Sequence, residues 1–245
     1  MRGFYSVFKR ELRAYFSTPL AYVFLVIFLA ASGFVTFQQG FFEMREASLR
    51  IFFSNMPLLF IFLVPAIAMR LWAEERRTNS IELLFTLPIT RPQAVLGKFL
   101  AAWSVVAIAL VLTLPMLMTV CYLGDPDPGP IVTGYLGSLL LAGAFLGIGG
   151  FFSCLTRSQV IAFVLSVVAC AVFLFAGSPA ALDYLQGAGA PMGLIEIGES
   201  LSFESRFQSI QRGVIEMRDV SFFVLLTAGW LWATVVTLKE RMAAG

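Results

Sequence analysis

Histidine is absent, cysteine is rare and charge is sparse in this chain of 245 residues. Without histidine, the commonest general base, a Ser-His pair and most zinc sites are excluded. The three cysteines, Cys121, Cys154 and Cys170, lie in or beside apolar runs and form no CxxC pair. They read as small packing residues, not as a disulfide framework or a metal cluster. Charged residues make up 13% of the chain and apolar residues 59%, against roughly 25% and 45–50% in ordinary globular domains. So few charges cannot cover the surface of a water-soluble fold of this size. A net charge of +2 offers no basis for binding nucleic acid. The pattern of a cleaved signal peptide is also missing. The residues before the first apolar run include acidic Glu11 and lack an Ala-x-Ala site, so the N-terminal segment is expected to stay in the mature protein.

What is present is a set of long apolar runs. A helix needs about 20 mostly apolar residues to cross a bilayer, and six runs qualify: 20–42, 51–72, 99–123, 131–156, 160–176 and 220–238. The fifth is short but carries no charge. The runs are continuous where a barrel strand would alternate, and a helix satisfies its own backbone in hydrocarbon. The expected fold is therefore an all-α membrane protein, one transmembrane domain over 1–245 with six spans.

Orientation follows from the basic residues. Twelve of the 17 Lys and Arg fall on the side holding both termini, the 72–99 connection with Arg70 at the adjoining end of the second run, and the turn Thr156-Arg157-Ser158-Gln159. That side is expected to be cytoplasmic. The acidic, proline-rich turn from Gly124 to Pro130 then lies outside.

Three segments between or before the spans carry the functional signal. Over 4–17, Phe4, Val7, Phe8, Leu12, Tyr15 and Phe16 recur at helical spacing, with Lys9, Arg10 and Arg13 on other faces. This predicts an amphipathic helix lying on the cytoplasmic leaflet or packed against protein. Pro19 turns the chain into the first span. In the cytoplasmic connection 74–98, Asn79 and Glu82 suit a capping box and Pro88 a stop. About two turns of helix result from Ser80 to Thr86, with Ile81, Leu84 and Phe85 as one apolar stripe. A helix that short must dock on something to be stable. Glu74, Glu75, Arg76 and Arg77 before it suit a polar rim around an apolar anchor. The external connection 177–219 is long for a loop. Its first half is rich in small residues, and its second half, 199–218, predicts one or two short helices at the outer interface.

The fourth run is glycine-rich, and Gly143-x-x-x-Gly147 permits close helix contact. Packing within the chain and a bending hinge are both open readings. Arg70 is the one charge inside a span, near its cytoplasmic end, where it can reach the headgroups. The lack of intramembrane carboxylates speaks against a proton- or sodium-driven carrier. No serine or cysteine has an evident base, which speaks against an intramembrane enzyme.

Glu75-Arg76-Arg77, Ile81-Glu82-Leu83-Leu84, Leu87-Pro88 and Gly97-Lys98 resemble the cytoplasmic-loop signature of type-2 ABC transporter permeases. Ser205 to Ser209 and Gln211 to Asp219 look like the segment before the last span in the gliding-motility (GldF-like) branch. Asn79-Ser80 stands where many relatives have Gly-Thr. The resemblance covers nearly the whole chain. It implies an exporter subunit in a bacterial inner membrane whose coupling helix contacts a cytoplasmic ABC ATPase dimer through Glu74, Glu75, Arg76, Arg77, Ile81, Glu82, Leu84 and Phe85. It implies a second permease, identical or related, and an accessory membrane protein with an external domain. The external contact residues would be Phe203, Arg206, Phe207, Arg212, Arg218 and Asp219. No GxxxxGK[ST] loop occurs in the chain, so ATP and Mg would be bound by the partner ATPase, with no cofactor held here. A mechanical transmitter, passing ATPase-driven motion to an external protein without moving a substrate, is the alternative.

Overall fold

The computed structural model describes residues 2–39, 41, 48–78, 80, 89–187, 193, 198 and 200–243. Among them no strand occurs; they form helices joined by short turns. The apolar runs become α2 (Pro19–Gln38), α3 (Arg50–Ala68), α5 (Arg91–Val111), α7 (Pro128–Leu155), α8 (Gln159–Phe175) and α11 (Met217–Ala243). Two runs are broken. α3 gives way at Met69 to α4 (Arg70–Arg77), and α5 gives way at Leu112-Thr113 to α6 (Leu114–Leu123). The N-terminal amphipathic segment is α1 (Arg2–Ser17), and the 177–219 connection, expected to be external, carries α9 (Pro179–Gly187) and α10 (Phe203–Gln211).

Among the described residues five stretches are long and apolar enough to cross a membrane: Ala21–Gln38, Arg50–Arg77, Arg91–Leu123, Pro128–Leu155 and Met217–Glu240. The expectation was six. α8 is apolar but has only 17 residues, about 25 Å of helix against a hydrocarbon core of about 30 Å. The connection between the second and third long stretches is also shorter than 74–98. Helix persists through Arg77 and resumes at Arg91, because Thr90 and Gln93 form a capping box at the start of α5.

α7 is the axis of the bundle. It packs on α3, α4, α5, α8, α10 and α11, and 72% of its apolar window is buried, against 11% for α11. Glycine makes that packing possible on several faces. A Cβ at Gly149 would lie 2.4 Å from Ala68 Cβ, and one at Gly134 2.6 Å from the Phe53 ring, so α3 rests on α7 along bare backbone. Gly147 sits under Trp230 of α11, with a Cβ position 3.3 Å from Trp230 Cβ. α7 runs unbroken from Pro128 to Leu155. The chain bends at Met69 and at Leu112-Thr113 instead. Gly149→Ala is expected to cost about 1–3 kcal/mol by overpacking, because Ala68 offers no flexible end that can give way. Thermal unfolding in detergent checks it, with Gly33→Ala, which meets nothing within 4 Å, as the neutral comparison.

α1 lies along α5. Val7 and Tyr15 are buried while Lys9, Arg10 and Arg13 stay exposed. Of the two readings of this helix, packing against protein accounts for its apolar face, and Gly97 lets Val7 approach. Lys9 and Arg13, exposed on the other face, can meet headgroups.

Candidate functional site

The two ends of the 78–90 connection are tied together by buried charge. Lys98, on the first turns of α5, has a side chain only 3% exposed. Its Nζ lies 2.8 Å from Glu75 of α4 and 3.3 Å from Glu11 of α1, and it sits over the Trp72 ring at 5.2 Å from the centroid. Arg10 adds contacts of 3.0 Å to Glu11 and 3.8 Å to Glu75. Two cations face two carboxylates, which is what allows an ammonium to be buried here. One demand stays unmet: Glu75 Oε2 is buried without a hydrogen-bond partner. Tyr15, at the base of the same cluster, donates to the Ile67 carbonyl at 3.4 Å. Burial, reinforced by the Glu11 charge, holds its phenol well above the ordinary range, so it stays protonated.

α4 is tied just as firmly to the bundle. Ser153 of α7 accepts from the backbone N–H of Trp72 and Ala73 at 3.0 and 3.1 Å and donates to the Met69 carbonyl at 2.8 Å. One hydroxyl thus satisfies three backbone groups freed by the break between α3 and α4. Arg76 donates to the Cys154 carbonyl at the end of α7. Arg70 pairs with Glu74 and donates to Thr18 Oγ1 at 2.9 Å, at the joint between α1 and α2.

Of the residues expected to meet an ATPase, Glu74, Glu75 and Arg76 therefore have partners within the chain, and Glu75 faces inward rather than forming an exposed rim. The reason is tertiary: α1 and α5 close over that face of α4. Arg77 is exposed. Ile81, Glu82, Leu84 and Phe85 lie outside the described residues.

At the other end of the bundle the expected external contact residues divide. Phe203 and Phe207 are core residues, not surface. Phe203 stacks on Phe145 and Phe173, with centroids 5.6 and 5.4 Å away, and meets Phe223 edge-on. Their ring faces close the space between α7, α8 and α11, which leaves nothing of them for a partner. Arg206 pairs with Asp219 at 3.2 Å, donates to the Ser200 carbonyl and lies 4.3 Å over Phe222. Arg212 and Arg218 are exposed.

Sequence reasoning passed over Lys98, Glu11 and Ser153. Lys98 stood inside a recognised motif but counted only as one more cytoplasmic charge. Ser153 carries no local signal at all, being one serine in an apolar helix. Among the described residues there is no group of His, Cys, Asp or Glu able to hold a metal ion, and no disulfide joins the three cysteines.

A bundle of long apolar helices, capped at one end by an ion-paired amphipathic helix, defines a multi-pass membrane protein whose charged elements hold helices together. The chain belongs to the ABC-2 family transporter proteins, whose family model matches residues 20–238. It is thus a membrane subunit of an ABC transporter, the permease and not the ATPase, and works with an ATPase partner. No curated protein matches it.

Proposed function

We propose that the chain is the permease subunit of an exporter in a bacterial inner membrane, with six spans and both termini cytoplasmic. α8 serves as the fifth of these spans in chain order; an uncharged helix of its length crosses where the bilayer thins locally. Two permeases, identical or related, sit on a cytoplasmic ATPase dimer that holds ATP and Mg. The likeness of 205–219 to the gliding-motility branch supports an accessory protein with an external domain.

The observation that supports this reading best is the clamp around Lys98. It joins α1, α4 and α5 at the two ends of the 78–90 connection. Force applied to that connection by a closing ATPase would enter one rigid unit. It would pass through the Ser153 and Arg76 contacts into α7, the axis of the bundle, and so reach the interface with the second permease. A second reading is motion handed to an external protein. It draws on a polar cavity of 420 Å³ lined by Ser205, Arg206, Ser209, Glu216, Arg218 and Asp219.

The test is gentle affinity purification of the chain and identification of its companions. A Walker-motif ATPase is expected, and Leu84→Asp is expected to abolish its association by placing a charge among Ile81, Leu84 and Phe85, the residues expected from the sequence to meet it. If no ATPase accompanies the wild-type chain in several detergents and in nanodiscs, the exporter reading fails. If an external protein co-purifies and reconstituted vesicles move nothing, the mechanical reading replaces it.

A further inference from the structure

The end of the bundle away from the 78–90 connection holds a cavity of 540 Å³. That size falls within the roughly 300–1,000 Å³ usual for ligand sites. It is enclosed by the start of α3, the start of α7 and the end of α10. Gln211 closes one wall by donating from Nε2 to the Arg50 carbonyl at 2.7 Å. α7 is 28 residues long, about 42 Å, and its far end meets Arg76. The cavity therefore lies at the opposite headgroup level from the charge clamp.

Its lining has two characters. Leu49, Phe53 and Ile131 form an apolar floor that belongs to the buried core. Arg50 and Arg212 stand at the rim, exposed, and neither makes a salt bridge among the described residues. Arg206, less than two turns back along α10, is paired with Asp219 by contrast. The one carboxylate among the described residues lining the cavity, Asp127, accepts the Gly129 N–H at 3.0 Å. α3 and α7 both begin here, and the first turn of α3 has no side-chain cap. Two guanidiniums against one carboxylate among the described lining residues, together with two helix N-termini, favour an anion.

We propose that this cavity binds the headgroup of an anionic phospholipid. The phosphate engages Arg50 and Arg212, and the glycerol and first acyl carbons lie on Leu49, Phe53 and Ile131. A soluble anion would use the arginines but gain nothing from an apolar floor. A lipid uses both, and it arrives at this level of the bilayer by lateral diffusion. The site stands whichever reading of the transport function holds.

The test is native mass spectrometry of the full chain released from nanodiscs of phosphatidylcholine and phosphatidylglycerol. The wild-type chain is expected to retain phosphatidylglycerol over phosphatidylcholine by about tenfold, the scale of one charge-assisted contact. Arg50→Gln with Arg212→Gln is expected to bring that ratio close to one, whereas Arg157→Gln at the opposite end leaves it unchanged. Ser48→Trp, which fills the cavity and keeps both arginines, is expected to lose the preference as well. It decides the matter if the double variant fails to fold. Unchanged retention in either cavity variant overturns the proposal. So does heat protection of the solubilised chain by inorganic phosphate without retained lipid, which would make this a soluble-anion site.

Discussion

Lys98→Met is expected to destabilise the chain by about 3–5 kcal/mol, the usual cost of removing one partner from a buried ion cluster. Among the described residues two cations reach both Glu11 and Glu75 at ion-pair distance: the buried Lys98 ammonium and Arg10, which is half exposed. Without Lys98, two carboxylates from different helices face each other across a buried gap, and one oxygen of Glu75 already lacks a partner. Their repulsion acts between α1 and α4, so α1 should lift from α5. Two measurements check this. Thermal unfolding in detergent should fall sharply, and limited proteolysis should reach the 2–17 segment. The triple variant Glu11→Gln, Glu75→Gln, Lys98→Met should recover most of the loss, since a neutral cluster of similar shape carries no buried charge. A single variant as stable as wild type would mean that the clamp holds nothing.

Ser153→Ala is the second large effect. It removes the acceptor for two backbone N–H groups and the donor to one carbonyl, all at a buried break. With about 1–3 kcal/mol for each orphaned group and partial relaxation, a loss of about 2–5 kcal/mol is expected. Ser138→Ala gives the contrast. Its hydroxyl returns to the Gly134 carbonyl of its own helix at 2.8 Å, a local bond that competes with the helix rather than completing it. Its removal should cost less than about 1 kcal/mol. Chemical unfolding in mixed micelles separates the two variants. If ATPase stimulation is also followed in the assembled transporter, Ser153→Ala should lose coupling at temperatures where it is still folded, because the α4–α7 joint loosens first. Equal effects of the two substitutions would show that the break needs no bridge.

The membrane class, the apolar runs and the amphipathic first helix were legible in the sequence, each carried by composition or by a period of a few residues. The breaks at Met69 and Leu112-Thr113 were not. Pro65 and Pro115 stand near them, yet Pro57 lies inside α3 without interrupting it. What separates these cases is the partner across the gap: Ser153 for the first break, and for the second the Tyr135 hydroxyl, 3.0 Å from Thr113 Oγ1. The site was half legible. Glu75 and Lys98 were visible as motif residues, but their pairing with Glu11 depends on how α1 folds back over α5. Phe203 and Phe207 sit on a short helix between α8 and α11, where local sequence suggests surface, and they are buried because α10 dips between α7, α8 and α11.

Hydrophobic runs of bilayer length, the bias of basic residues and the capping and stop residues act within a single helix or at its ends. The sequence by itself therefore determined that this chain enters a membrane as a helical bundle, and roughly where each helix begins. Which faces meet was decided only by the tertiary structure. In hydrocarbon every face is apolar, so helices choose their neighbours by small features. Here these are a bare glycine opposite Ala68, one serine hydroxyl at a helix break and one lysine between two carboxylates. Each of these works through a residue far away in the chain, and no local pattern records that distance.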